Sequence, residues 1–127
     1  DACCDLRKAR PLERALAPFD SWISGRKRFQ SGLRAGIEMF ERDPVSGRIK
    51  INPLAGHTAA DLRAHADRHR LPPHPLVAGG FASIGCTPCT TTVAPGEDTR
   101  AGRWRGQRKT ECGIHVVDGR IARGVAA

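Results

Sequence analysis

This chain is organised around Ser83-Ile84-Gly85-Cys86-Thr87-Pro88-Cys89-Thr90. Its two cysteines are spaced Cys-x-x-Cys on a turn rich in glycine and proline, so both sulfurs are expected to point the same way. That arrangement suits a shared metal, a disulfide or a redox dithiol. Two other places add to it: the adjacent pair Cys3-Cys4, and the single Cys112 inside Glu111-Cys112-Gly113-Ile114-His115.

Length and composition indicate one modest domain of 127 residues, 39% of them apolar. No apolar run approaches the ~20 residues that span a bilayer, and no signal peptide is visible, so we expect a soluble, cytoplasmic protein with no membrane partner. Five cysteines in such a chain favour metal or catalytic thiols over a disulfide framework. Met39 is the only methionine and no glycine-rich phosphate loop follows a strand near residue 1, so we expect the C-terminal part of a longer protein.

The net charge of +8 raises the question of a polyanionic partner. Tyrosine is absent and only four Phe and two Trp are present, which is a thin stacking platform for nucleic-acid bases. The basic residues lie near the cysteines: Arg7, Lys8, Arg10, Arg100, Arg103, Arg105, Arg108 and Lys109. This distribution favours a compact pocket for a small anion and no nucleic-acid partner.

The remaining patterns predict a mixture of helices and strands. Residues 3–17 have helical spacing, with Pro11 interrupting or restarting the helix, and residues 20–25 are typical of a short buried strand. Residues 26–34 are basic and are expected to form a solvated surface loop, while 35–41 and 48–51 form a hairpin. Thr58 is expected to cap a helix that runs to residue 69 or 70, with Asp61 completing a capping box.

Two histidines on that helix, His65 and His69, are spaced i, i+4, which can present two imidazoles to a metal. No glutamate completes a metalloprotease motif, so surface histidines are the favoured interpretation. Trp104, between arginines, can stack on a planar ligand or pack internally. Near Cys112, Arg108, Lys109 and His115 favour a thiolate nucleophile whereas Glu111 opposes it.

Taken together, the motifs resemble one family. In order along the chain, they are Cys3-Cys4-x-x-Arg7-Lys8, Ile23-Ser24-Gly25, Arg28-x-Gln30-Ser31, Ile51-Asn52-Pro53-Leu54, Ser83-Ile84-Gly85-Cys86-x-x-Cys89-Thr90, Gly96-Glu97-Asp98-x-Arg100-Ala101-Gly102-Arg103-Trp104 and Lys109-x-Glu111-Cys112-Gly113-x-His115. The chain resembles the C-terminal half of an assimilatory, thioredoxin-dependent adenylyl-sulfate (APS) reductase of the iron-sulfur type.

The resemblance implies an α/β fold, the C-terminal part of an adenine-nucleotide alpha-hydrolase-like (PP-loop-type) domain of sheet and helices. Residues 1–94 would belong to that domain, and residues 95–127 would form a flexible tail carrying the catalytic cysteine, with the nucleotide-binding N-terminal half missing. It also implies a 4Fe-4S cluster and the following site residues. Cluster ligands would be Cys3, Cys4, Cys86 and Cys89; the nucleophile would be Cys112; the phosphosulfate would be held by Lys8, Arg34, Arg100 and Arg103.

The implied reaction reduces adenylyl sulfate to sulfite and AMP through an S-sulfocysteine on Cys112, which thioredoxin or glutaredoxin then resolves. A homo-oligomer is possible. One alternative is a reductase of 3'-phosphoadenylyl sulfate (PAPS) from the same family, most of which lack the two cysteine pairs. An alternative of another class is a zinc or iron-sulfur module with affinity for nucleic acid, which steep salt-dependent binding to arbitrary DNA or RNA would reveal.

Overall fold

The structure is a computed structural model that describes residues 2–44, 46–109, 111–112, 116–117 and 120–121. Its first element is a helical segment made of α1 (Ala2–Cys4), a π-helical turn (Asp5–Ala9) and α2 (Arg10–Leu16). Pro11 lies in the first turn of α2, directly after the π-helical turn. The predicted helix is therefore confirmed, with Cys3 and Cys4 at its beginning and Pro11 inside a restarted turn.

Three short strands form a mixed sheet in the order β1-β3-β2. Strand β1 (Ser21–Ile23) runs parallel to β3 (Ile49–Ile51), and β2 (Phe40–Arg42) runs antiparallel to β3. The middle residue of β3 is Lys50, which is buried and pairs in register with Trp22 on one side and Glu41 on the other. Its ammonium lies 4.7 Å from the centre of the Trp22 ring, so this charge is covered by an aromatic face.

Two details of the predicted strands are wrong. The first strand is largely exposed: Ile23 retains 72% of its surface and only Trp22 is half-buried. The hairpin's first strand begins at Phe40 instead of residue 35, because the preceding backbone closes turns, including a bond from the Ile37 N–H to the Arg34 carbonyl. Ile37 is still buried, so its apolar character reflects packing beneath a turn.

The predicted surface loop at 26–34 is also corrected by the structure. It contains two 3-10 turns, Arg28–Gln30 and Gly32–Arg34, and it buries Arg26 and Arg34. The Arg26 guanidinium pairs with Glu41, a charge on the adjacent strand that composition alone does not locate. The correction therefore concerns these two buried arginines, while Phe29 and Leu33 remain exposed as a surface loop predicts.

Helix α3 (Ala59–Arg68) begins as predicted. The Thr58 hydroxyl accepts from the Asp61 N–H at 3.1 Å, and the Asp61 carboxylate accepts from the Thr58 N–H at 2.8 Å. The His65 and His69 rings lie 4.4 Å apart on this helix. Within the described ranges no three His, Cys, Asp or Glu side chains are grouped to hold a metal ion, and no helix is long and apolar enough to cross a membrane.

Beyond α3 the chain forms 3-10 turns at Pro75–Val77 and Thr87–Cys89, and the last described backbone is a pair of antiparallel strands, β4 (Val116–Val117) and β5 (Arg120–Ile121). The Cys-x-x-Cys motif occupies the second of those turns, with Pro88 inside it. The Cys89 N–H donates to the Cys86 carbonyl at 2.9 Å, which closes the turn and places both cysteines on it.

Candidate active site

A short two-stranded ribbon joins the Cys-x-x-Cys turn to the basic segment that follows it. Thr90 and Arg103 form an antiparallel bridge, and the Thr91 N–H donates to the Gly102 carbonyl at 2.8 Å. The Trp104 N–H donates to the Cys89 carbonyl at 3.1 Å. A Cβ on Gly102 would overlap the Thr91 carbonyl oxygen, so only glycine permits this close approach. The ribbon fixes the arginines relative to the cysteines.

Trp104 is the platform beneath two of those arginines. It is only 4% exposed and has a φ of 52°, a left-handed conformation that residues with a side chain seldom adopt. The guanidinium carbons of Arg103 and Arg100 lie 4.5 Å and 5.5 Å from its ring centre. The structure therefore resolves the two roles predicted for Trp104 in favour of packing, with cations stacked on its face.

Arg103 crosses directly over Gly85. Its guanidinium donates to the Ile84 carbonyl at 2.9 Å, and a Cβ on Gly85 would overlap the same guanidinium. Its Nε is buried and makes no hydrogen bond to any part of the protein that the structure describes. Arg103 is thus held by one carbonyl and one aromatic face, with hydrogen-bonding capacity left for a ligand.

Arg34 and Arg100 converge on the carboxylate of Glu111. Arg34 makes a two-pronged ion pair with it, at 2.6 Å through Nε and 2.7 Å through Nη2, and Arg100 adds a contact at 3.4 Å. Arg34 is 7% exposed and Glu111 is 4% exposed, so the pair is shielded from water. The Gln30 side chain also accepts a hydrogen bond from Arg34.

The charges around Arg100 influence its protonation. Burial lowers the pKa of Arg100, Glu111 acts to raise it, and the nearby cations Arg34 and Arg103 lower it further. Two of the other predicted anion-binding residues, Arg34 and Arg103, therefore lie within electrostatic reach of Arg100. Such a cluster of guanidiniums is suited to an oxyanion with several oxygens.

Lys8, the fourth predicted anion-binding residue, lies beside the predicted nucleophile. Its Nζ donates to the Cys112 sulfur at 3.5 Å, across 104 residues of sequence. Burial lowers the pKa of Lys8, but the hydrogen bond to Cys86 and the charge of Cys112 outweigh that effect, so the pKa is raised overall. Lys8 is therefore a protonated ammonium shared between one predicted cluster ligand and the nucleophile.

A second lysine makes the equivalent contact with the first cysteine pair. Lys109 is buried, and its Nζ donates to the Cys4 sulfur at 3.1 Å. Cys112 itself is 7% exposed, and its backbone N–H donates to the Glu111 carboxylate at 3.0 Å. The sulfurs of Cys4 and Cys112 thus each accept a hydrogen bond from a lysine ammonium.

The four predicted cluster ligands differ in exposure: Cys3 is exposed, and Cys4, Cys86 and Cys89 are half-buried free thiols. Within the described ranges, no three of these sulfurs lie close enough together to hold a metal ion. As a donor set, however, four thiols in two pairs match the all-thiolate ligation of iron-sulfur clusters. The sulfurs of Cys4 and Cys86 each contact a lysine, so negative charge on them is compensated.

The ion pair of Glu111 and the contact of Lys109 with Cys4 have no signal in the sequence. Glu111 was visible only as a charge beside Cys112, and its partner Arg34 lies 77 residues away in sequence. His115, predicted to favour the thiolate, and Gly113 lie outside the described residues, as does most of the predicted tail after position 112.

Comparisons with known proteins converge on one family. The model described as "Phosphoadenosine phosphosulfate reductase domain" matches residues 1–92. An adenosine 5'-phosphosulfate reductase from Mesorhizobium japonicum is 56% identical over 116 residues, 91% of this chain and 45% of the relative. A phosphoadenosine 5'-phosphosulfate reductase from Gloeobacter violaceus is 50% identical over 118 residues, 91% of this chain and 49% of the relative.

A solved structure is also similar: the phosphoadenylyl-sulfate (PAPS) reductase from Candida auris in complex with phosphate, at a TM-score of 0.58 and 30% identity. The match covers 70% of this chain and 41% of that one. The chain spans about half the length of the curated relatives it matches. These similarities agree with the family resemblance seen in the motifs, and the α/β class with its small mixed sheet is consistent with the fold of that neighbour.

Proposed function

Because the chain belongs to the phosphoadenosine phosphosulfate reductase domain family, we propose that it carries the reacting half of a thioredoxin-dependent adenylyl-sulfate reductase. The observation that carries the proposal is the contact between Lys8 and Cys112, in which a cation lies 3.5 Å from a buried thiol. In addition, Arg34 and Arg103 each lie within electrostatic reach of Arg100. This combination serves a soft nucleophile that attacks an anionic sulfur centre.

The proposed first step is nucleophilic. The Cys112 thiolate attacks the sulfur of adenylyl sulfate, an S–S bond forms, and the bond from sulfur to the bridging oxygen breaks. AMP leaves with the electron pair of that bond, and Cys112 carries an S-sulfonate. Arg100, Arg103 and Arg34 would neutralise the phosphosulfate oxygens, where charge develops on the leaving phosphate.

The second step requires a dithiol donor such as thioredoxin or glutaredoxin. One donor thiolate attacks the Cys112 sulfur and releases sulfite, leaving a mixed disulfide. The second donor thiol then attacks that disulfide, restores the Cys112 thiolate and leaves the donor oxidised to a disulfide. Two electrons pass from donor to substrate, which balances the reduction of the sulfuryl group to sulfite.

We also propose a 4Fe-4S cluster on Cys3, Cys4, Cys86 and Cys89, supported by the all-thiolate donor set and by the lysines at Cys4 and Cys86. When bound, the cluster would supply charge near Lys8 and the substrate, while the electrons come from the dithiol donor. Residues 1–94 would form the cluster-bearing domain and residues 95–127 the tail that presents Cys112. No nucleic-acid or membrane partner is proposed, and the location is taken as the cytoplasm.

The test is sulfite release from adenylyl sulfate with reduced thioredoxin, using the full-length protein and its Cys112→Ser variant. We expect Cys112→Ser to abolish sulfite release, because a hydroxyl at this position is a far weaker nucleophile toward sulfur. Retained turnover would refute the assignment of the nucleophile. Parallel assays with PAPS separate the alternative substrate: a higher kcat/KM for PAPS would favour the alternative, since relatives of both names match the chain.

A further inference from the structure

The carboxylate of Glu111 occupies the cation pair that the substrate would need. Arg34 meets it with two N–H donors at 2.6 Å and 2.7 Å, and Arg100 approaches it at 3.4 Å. A planar carboxylate gripped by a guanidinium fork is recognised in the same way as a phosphate or sulfate oxygen pair. Glu111 therefore has the position and chemistry of a bound anion, supplied by the chain itself.

We propose that Glu111 is a displaceable placeholder, which holds the segment carrying Cys112 on Arg34 and Arg100 until a phosphosulfate or similar oxyanion takes those arginines. This inference rests on the proposed function, in which the same two arginines bind the substrate. It assigns to Glu111 a role in substrate affinity and in access to the nucleophile.

Charge explains why an incoming oxyanion can replace this carboxylate. Glu111 brings one negative charge to a place where Arg100 lies within electrostatic reach of both Arg34 and Arg103. Arg103 also has a buried Nε that makes no hydrogen bond to the described part of the chain. A ligand carrying two negative charges and more oxygens matches this excess of cationic donors better than one carboxylate does.

The same carboxylate is linked directly to the nucleophile. The Cys112 N–H donates to Glu111 at 3.0 Å, and Cys112 is 7% exposed while this contact is made. Moving Glu111 off the arginines removes the anchor that precedes Cys112 by one residue. Arrival of the anion would thereby release the Cys112 backbone from Glu111 and expose the sulfur of a residue that is 7% exposed while this contact is made.

The first experiment measures substrate affinity without turnover. In the full-length Cys112→Ser protein, the dissociation constant for adenylyl sulfate is compared with and without Glu111→Gln. A placeholder closed in about nine molecules of ten weakens apparent affinity about tenfold, so Glu111→Gln should tighten binding by about that factor. Unchanged or weaker binding would overturn the proposal.

Glu97→Gln is the matched control. Glu97 is an exposed glutamate that pairs with Arg105 at 2.9 Å, so its substitution removes an equal charge and a similar ion pair away from Arg34 and Arg100. We expect no tightening for Glu97→Gln. Equal tightening in both variants would mean that net charge alone sets the affinity, which contradicts a specific placeholder.

The second experiment uses the unsubstituted full-length protein, so it does not depend on folding of a variant. Iodoacetamide labelling of Cys112 is followed on the tryptic peptide 110–120, with inorganic pyrophosphate added as a non-reacting oxyanion and sodium chloride at equal ionic strength as control. Pyrophosphate should accelerate labelling several-fold, because it takes Arg34 and Arg100 from Glu111. Labelling that responds no more to pyrophosphate than to chloride would refute the placeholder.

The two proposals fail separately in these assays. Absence of sulfite release with accelerated labelling would refute the proposed reductase function, but it would support displacement of Glu111 by an oxyanion. Sulfite release with labelling that does not respond to pyrophosphate would keep the reductase and remove the placeholder.

Discussion

A single absent side chain, that of Gly85, determines where Arg103 can lie. The Arg103 guanidinium passes over this glycine, donates to the Ile84 carbonyl and stacks on Trp104. Gly85 has no positive φ that would itself demand glycine, so the requirement comes from space alone.

We therefore predict that Gly85→Ala weakens binding of adenylyl sulfate about tenfold or more, the loss typical of displacing one charge-assisted contact. The obstacle is the end of a flexible side chain, so Arg103 can turn away and the fold should be nearly as stable as before. Isothermal titration on the Cys112→Ser background measures the affinity, and thermal unfolding measures the stability.

Gly56→Ala is the control for this prediction, because a Cβ at Gly56 meets no atom within 4 Å and the residue has no positive φ. Normal affinity is expected for Gly56→Ala. A Gly85→Ala protein that binds as tightly as the unsubstituted protein would show that the position of Arg103 is unimportant for the anion.

At this scale the sequence predicts residues whose partners are local and misses those whose partners are distant. Thr58 and Asp61 are three residues apart and carry their capping pattern in the sequence itself. Glu111 gives no such signal, since its partner Arg34 is separated from it by 77 positions. Arg34 was expected to bind an anion on grounds of family resemblance, and only the structure shows a carboxylate already bound to it.

At the scale of elements, helix α3 depends on its capping box. The Asp61 pKa lies below its usual value of 3.8, first because of the hydrogen bond from the Thr58 backbone and then because of the Thr58 hydroxyl. A carboxyl group with a lowered folded pKa stabilises the fold above its unfolded pKa, and the contribution is lost as the pH falls through the folded pKa.

The predicted consequence is a pH-dependent difference between the unsubstituted protein and Asp61→Asn. The variant should be less stable at pH 7, and the difference should shrink as the pH falls below 3.8. Thr58→Ala should cost about 1 kcal/mol at pH 7, the usual loss of a side-chain cap. Urea denaturation at a series of pH values provides the free energies of unfolding.

Asp20→Asn serves as the control, since Asp20 is exposed and lies before β1, outside the capping box. A difference for Asp61→Asn that stays constant from pH 7 to pH 3 would contradict the role of its charge in the cap.

Helix α3 is predicted correctly from the sequence because its start signal is local, whereas the late beginning of β2 is not. That strand is delayed by turns around the buried Arg34, and burial of an arginine is invisible to periodicity.

At the scale of the whole molecule, the N-terminal helical segment contacts the segment around position 110 through hydrogen bonds between lysine and cysteine. Lys8 contacts Cys112 across 104 positions and Lys109 contacts Cys4 across 105. The two cysteine pairs are explicit in the sequence as CC and CxxC, and their common role as cluster ligands stays a prediction. Which lysine faces which sulfur was not predictable, because these contacts depend on how distant segments pack.

The prediction at this scale concerns the iron content of the protein. Full-length protein purified without oxygen should contain about four irons per chain and be brown, as the proposed 4Fe-4S cluster requires. Cys86→Ser should lose the iron and the colour, because one of the four proposed ligands is removed. Iron and sulfide analysis with a visible spectrum provides the measurement.

Cys112→Ser is the control, since it removes a thiol that is not a proposed ligand, and it should keep its iron. Equal iron in Cys86→Ser and the unsubstituted protein would exclude Cys86 as a ligand. Zinc in place of iron would mean that the cysteine pairs are structural.

The ribbon that pairs Thr90 with Arg103 also bears on how such sequences can change in length. Its two limbs are joined at Thr91 and Gly102, and residues 94–99 between them are exposed. Insertions and deletions should therefore accumulate in the turns at 95–99, where added residues bulge into solvent. A single residue gained between Cys89 and Thr91, or lost between Gly102 and Trp104, would shift the pairing and carry the arginines out of line with the thiols.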